Sequence, residues 1–201
     1  MENNGFNLDT KISELFERFS RIFKVMQWDV AKKFNISPIQ AQFLIFIKKS
    51  HNKFCTVLNL ANEFGIKPST VSDAIKSLEK KGYVVKEVNP ADKRNFFIKI
   101  TKKGKELENK IKNWDKNFVE ALKKIPKNEK LMVYKNLLKI LVALQENDGL
   151  FPFQTCLNCE NLYKKKKNKK TEYFCGITEK KLKIENVKFD SCNKFKKIDI
   201  L

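Results

Sequence analysis

Histidine is almost missing from this chain: His51 is the only one in 201 residues. That excludes histidine-rich metal centres and any chemistry needing two imidazoles. Glycine is sparse as well. The six glycines (Gly5, Gly65, Gly82, Gly104, Gly149 and Gly176) are scattered, whereas a Walker loop or a dinucleotide fingerprint clusters them so that backbone amides can approach phosphate. No Gly-x-Ser-x-Gly elbow occurs, and an enzyme is the weaker reading. The longest unbroken apolar runs, Phe43 to Ile47 and Ile140 to Leu144, fall far short of a bilayer span. The opening MENNGFNLDT lacks the charged start and apolar core of a secretion signal, so a cytoplasmic protein without a membrane partner is expected. Acidic residues are in deficit: 23 Asp and Glu face 42 Lys and Arg, a formal net charge of +19. Such an excess calls for a polyanionic partner, nucleic acid first.

What is present is a core-forming pattern, with 42% hydrophobic residues punctuated by five prolines. Ile12, Phe16, Phe19, Phe23, Met26 and Val30 recur at 4-3 spacing, which predicts an amphipathic helix over 8–34. Ser37-Pro38 reads as an N-cap with proline in the first turn. It opens a helix so apolar, through Phe43, Leu44, Phe46 and Ile47, that it must be central. His51 follows in a polar stretch and is read as a solvated loop residue, and Cys55 as a buried one. Two short helices come next, Thr56 to Phe64 ended by Gly65 and Pro68 to Lys81 ended by Gly82. Tyr83–Val88 and Phe96–Thr101 are β-branched and aromatic runs around the polar turn NPADKRN, a hairpin signal. Thr101 caps a helix that carries Leu107, Ile111, Trp114, Phe118, Ala121 and Ile125. After Pro126 a last helix carries Leu131, Tyr134, Leu138, Leu141 and Leu144 and stops near Asp148-Gly149.

Ala61, Gly65 and Val71 stand at Ala-x3-Gly-x5-Val spacing. A helix-turn-helix needs these types in this order. A small residue lets the first helix approach the second, glycine supplies the positive φ of a tight turn, and a branched apolar residue packs the second helix back. Val71, Ile75 and Leu78 then face the core. Lys67, Ser69, Thr70, Ser72, Asp73, Lys76 and Lys80 are left outward, a face suited to a DNA major groove. The hairpin that follows bears the basic tip Asp92-Lys93-Arg94. Together they describe a winged helix, with Lys93 and Arg94 as further DNA-binding residues and Arg94 the candidate for the minor groove. The fold class is mainly α, with a small β-hairpin wing.

From Ser37 to Gly104 the chain resembles the winged helix of MarR-family transcriptional regulators. The resemblance rests on SPIQAQFLIFI, on LANEFGIKPSTVSDAIKSLEKKGYV, and on NPADKRNFFIKITKKG. The family's wing usually reads Asp-x-x-Asp-x-Arg; here Asn89 replaces the first Asp, while Asp92 and Arg94 match. More loosely, the likeness covers residues 5–147. It implies a homodimer that binds a palindromic operator in double-stranded DNA, with repression as the expected sense. It also implies a small-molecule effector pocket between the winged helix and the dimerisation helices. The apolar stripes agree on the dimer, because one small winged helix cannot cover them all. The expected organisation is a dimerisation helix over 1–36, the winged helix-turn-helix over 37–103, dimerisation helices over 104–149 and a cysteine lobe over 150–201.

Beyond Phe151 lie Cys156 and Cys159, a C-x2-C step, then Cys175 and Cys192. The apolar residues around them are too few to fold such a segment unaided. In a cytoplasmic chain two structural disulfides are disfavoured, so the four thiols read as ligands of a metal that staples a small lobe. Zinc is the first expectation. The single knuckle also suits a [4Fe-4S] cluster, and free redox-switching thiols complete the alternatives. The run Lys164 to Lys170 between these cysteines reads as a solvated loop, or as extra phosphate contacts. A reading from another class is a metalloenzyme or electron-transfer protein that keeps the winged helix as a scaffold. No acid, base or nucleophile constellation near the cysteines supports it.

Overall fold

A computed structural model of the protein describes residues 7–50, 55–89, 92–146, 156, 159–167, 170–182 and 187. In chain order the elements are α1 (Leu8–Lys32), α2 (Pro38–Lys49), α3 (Val57–Phe64), α4 (Pro68–Lys80), β1 (Val84–Asn89), β2 (Asp92–Ile100), α5 (Lys102–Ile111), α6 (Lys116–Lys123), α7 (Lys127–Glu146), β3 (Leu162–Lys167) and β4 (Lys170–Cys175). The chain is thus mainly helical, with a small antiparallel hairpin at β1–β2. Among the described residues no helix is long and apolar enough to cross a membrane.

The core of the winged helix is built around α2, and local chemistry explains why that helix starts where it does. Ser37 Oγ accepts the Gln40 amide at 3.3 Å and Gln40 Oε1 accepts the Ser37 amide at 3.0 Å. This capping box satisfies two donors that the first turn would otherwise leave free, and Pro38 gives up no needed donor at that position. Phe43, Leu44 and Ile47 are wholly buried, against Leu60 of α3, Val71, Ile75 and Leu78 of α4, Val84 of β1, Ile98 of β2 and Ile111 of α5. Each such side chain withdrawn from water contributes roughly 1.5–3 kcal/mol before entropy is charged against it.

The long helices depart from expectation at one point. The stripe from Leu107 to Ile125 predicted one helix, but the chain leaves the helix after Ile111 and re-enters it at Lys116. Asn113 and Asp115 are types whose side chains compete for backbone hydrogen bonds. Here Trp114 N–H bonds to the Ile111 carbonyl and Lys116 N–H to the Asn113 carbonyl, closures three residues long that tighten the turn. The break lets Trp114 and Phe118 both meet Phe23 of α1 edge-on, with centroids 5.8 and 4.9 Å away, and Phe118 also meets Phe19 at 5.8 Å. Each such pair adds about 0.5–1.5 kcal/mol beyond the area it buries.

The hydrophobic stripes of the flanking helices are only half used. Leu15, Ile22, Val25 and Trp28 of α1, and Met132, Val133, Leu137 and Leu144 of α7, remain exposed, Met132 at 66%. Of the run Lys164 to Lys170, read first as a solvated loop, Lys164–Lys167 lie in β3 and Lys170 opens β4. β3 and β4 pair antiparallel from Leu162↔Cys175 to Lys167↔Lys170. Lysine has little strand preference. The aromatics decide the outcome: Tyr163 stacks on Phe174 across the strands at 5.5 Å, a partner that no local pattern around the lysines announces.

Candidate nucleic-acid interface

The two-helix unit is built as its spacing requires. Thr56 caps α3, exchanging bonds with Asn59, and Gly65 ends that helix at φ 60°, ψ 35°. This is the left-handed conformation that a Cβ would strain. Ala61 and Val71 are both buried where the helices meet. Val71, Ile75 and Leu78 turn one face of α4 into the core, and Ser69, Thr70, Asp73, Lys76 and Lys80 project to solvent, with Lys67 just ahead and Ser72 half-buried. No side chain caps the N-terminus of α4.

Several contacts hold α4 in place. Lys81 Nζ donates to the Asn35 carbonyl, and Lys103 Nζ to the Lys81 carbonyl at 2.9 Å. The half-buried pair Lys86–Glu79, at 2.9 Å, ties α4 to the wing. Lys76 pairs with Asp73 one turn back at 3.6 Å, an exposed contact the sequence reading did not identify. Such a pair is worth under about 1 kcal/mol, so Lys76 can be recruited elsewhere at little cost.

The wing differs in detail from the hairpin expected. Asn89 pairs with Asp92 and Val88 with Phe96, so residues 93–95 form an irregularity within β2. Lys93 and Arg94, expected within the connecting turn, therefore sit in β2. The side chains of Asp92, Lys93 and Arg94 lie outside the described residues, as do Pro90 and Ala91. The Ile98 amide donates to the Cys55 carbonyl at 2.7 Å, fastening the wing to the start of α3. Cys55 is buried as expected, and that burial pushes its thiol up to about 12. His51 lies outside the described residues.

At the tail, Cys159 and Cys175 come to the same end of the β3–β4 ribbon. Leu162, the register partner of Cys175, donates its amide to the Cys159 carbonyl at 2.8 Å, and Asn161 Nδ2 lies 3.6 Å from Cys159 Sγ. Cys159 is buried, with its thiol outside any disulfide. Among the described residues no three His, Cys, Asp or Glu side chains are gathered to hold a metal, and Cys192 lies outside those residues. Surface clefts lie on both α1 and the winged helix. One runs along α1 at Phe16, Phe19 and Phe23, and another lies between Leu58, Pro68 and Phe96 of the winged helix.

A short helix pair with a left-handed glycine turn, followed at once by a two-stranded wing, defines a winged helix-turn-helix protein. Residues 34–95 match the model of the MarR family. The HTH-type transcriptional regulator BilQ of Clostridioides difficile is 32% identical over 108 residues, which span 52% of this chain and 67% of that protein. A MepR–DNA complex from S. aureus superposes with a TM-score of 0.60 at 22% identity, over 69% of this chain and 99% of that one. A MarR transcriptional regulator from Methanosarcina mazei gives 0.57 at 19%, over 68% and 99%. The chain belongs to the MarR family of transcriptional regulators, which are not enzymes. The cysteine tail lies beyond the family match, which ends at residue 95.

Proposed function

We propose that the protein is a homodimeric repressor that binds a palindromic operator, with α4 in the major groove and Arg94 of the wing in the minor groove. One observation carries this reading: α4 buries Val71, Ile75 and Leu78 while Ser69, Thr70, Asp73, Lys76 and Lys80 are exposed on its opposite face. Thirteen helical residues make a rod about 20 Å long, and B-DNA's major groove, about 12 Å wide, admits one helix. Hydroxyls near the start of α4 reach base edges or phosphates, Asp73 can accept from a cytosine amine, and Lys67, Lys76, Lys80 and Lys93 meet phosphates. The dimer is supported by the apolar side chains left exposed on α1 and α7, more than a monomer ordinarily leaves to water. Two-fold symmetry of the protein requires matching symmetry in the operator. The effector reading rests on family resemblance.

Titration of duplex from upstream of its own gene, at several salt concentrations, tests the proposal. Binding should be dimeric and salt-dependent. Arg94→Ala and Lys76→Ala should each weaken it, and unchanged affinity in both variants would refute this mode of reading DNA.

We also propose that Cys156, Cys159, Cys175 and Cys192 hold a metal, zinc first and a [4Fe-4S] cluster as the alternative. The support is the C-x2-C spacing of Cys156 and Cys159 and the shared position of Cys159 and Cys175 at the foot of the ribbon. Metal and acid-labile sulfide are to be measured on protein purified without air. About one zinc per chain without sulfide fits a structural or sensing zinc. About four irons with matching sulfide fits a cluster switch, and neither metal would leave only thiol oxidation.

A further inference from the structure

Between residues 162 and 182 the chain carries eight lysines and only two glutamates. A run of like charges ordinarily repels itself and stays extended in solvent. Here it is built into a two-stranded ribbon instead, and the bracing is specific. The Tyr163–Phe174 stack closes one face, and Lys165 Nζ sits over both rings, 5.5 and 5.3 Å from their centroids. On the other face Lys164 Nζ lies over the Tyr173 ring at 5.7 Å. At the foot, Gly176 N–H donates to the Asn161 carbonyl at 2.7 Å, and Leu182 N–H to the Tyr173 carbonyl at 2.7 Å. Glu172, one of the two acids, is already engaged by Lys181.

This construction sets like charges against one another. Lys167 stands opposite Lys170 in the register, and like charges directly opposed destabilise a strand pair. An isolated two-stranded hairpin is marginal at best in water. A ribbon so rich in cations gains most when a dense line of anions approaches. Duplex DNA carries one phosphate per 3.4 Å of axis on each strand, while same-face side chains on a strand recur about every 6.7 Å. The tether adds to the match, because a ribbon on the same chain as a DNA-bound winged helix meets the neighbouring duplex at high effective concentration.

We infer that the β3–β4 lysine ribbon is a second DNA contact, gripping phosphates of duplex outside the reach of α4 and the wing. Its contacts are with the backbone, so it raises affinity and salt dependence without adding sequence preference. The inference rests on the winged helix binding DNA. Its test therefore compares the full chain with two quadruple variants, Lys164, Lys165, Lys166 and Lys167 all to Ser or all to Arg, and with Arg94→Ala. The probes are a random-sequence duplex several helical turns long, the upstream duplex, and single-stranded RNA of equal length, each titrated between about 50 and 200 mM salt.

The serine variant should lose up to about 3.6 from the slope of log affinity against log salt, since each of the four phosphate contacts contributes about 0.9. It should do so on both duplexes alike, leaving their affinity ratio unchanged, and the arginine variant should keep the wild-type slope. Arg94→Ala should change that ratio. An unaltered slope in the serine variant, while wild-type still binds duplex, overturns the ribbon and spares the winged-helix reading. A loss confined to RNA also overturns it. If the wild-type chain binds neither duplex, both readings fall together.

Discussion

Gly104→Ala separates packing from propensity, because the two predict opposite signs. Gly104 lies in the first turn of α5, where Thr101 caps the helix by accepting the Gly104 amide at 3.0 Å. Thr101 Oγ1 in turn donates to the Gly82 carbonyl at 2.7 Å, so α5 is pinned to the chain between α4 and the wing. By propensity alone, alanine in a helix is worth up to about 1 kcal/mol over glycine. A Cβ here, however, would be driven into the carbonyl oxygen of Tyr83 and would also press on the Ile100 side chain. Ile100 can turn aside, but a backbone carbonyl cannot. Tyr83 also receives the Thr101 amide at 3.0 Å, so moving it opens the junction between wing and α5. Overpacking costs about 1–3 kcal/mol where side chains can adjust, and a backbone collision belongs at or above the top of that range. The net expectation is a loss of about 2 kcal/mol, read from the urea midpoint at constant slope. In operator titrations the folded variant should also bind more weakly. A variant more stable than wild type would refute this account of the α5 junction.

Cys55 should resist thiol reagents in the native protein at pH 8 and react once urea unfolds it. Its folded value of about 12 lies above the ordinary thiol value of 9.0. The unfolded state therefore gives up the proton first, and Cys55 should make stability fall as pH rises from about 9 towards 12, with no contribution below 9. A Cys55→Ser variant with an unchanged alkaline profile would contradict this. Ser37→Ala removes half of the capping box of α2 and should cost about 1 kcal/mol, measured by thermal unfolding. Leu15→Glu combined with Met132→Glu should shift sedimentation towards the monomer and weaken operator binding together. A dimer that survives both charges would place the interface elsewhere.

The two-helix unit was legible in the sequence because its requirements are local. Ala61, Gly65 and Val71 act within a dozen residues, and Ser37 with Gln40 within one turn, so spacing and side-chain type suffice. Apolar periodicity likewise predicted α1 and α7 nearly to their ends. It failed between Ile111 and Lys116, since a stripe reports which side chains are buried and not whether the backbone between them stays helical. Trp114 and Phe118 keep helical spacing through a turn because both are drawn to Phe23, more than ninety residues away in sequence. The need for glycine at 104 was invisible for the same reason: the atom that forbids a Cβ belongs to Tyr83. The lysine run is the sharpest case. Its composition determined a charge; whether that charge hung in a loop or stood on a ribbon depended on Tyr163 finding Phe174 on the facing strand. Charge and helical period are properties of the chain, read residue by residue, whereas a strand, a close approach or an aromatic cluster exists only between partners that folding brings together.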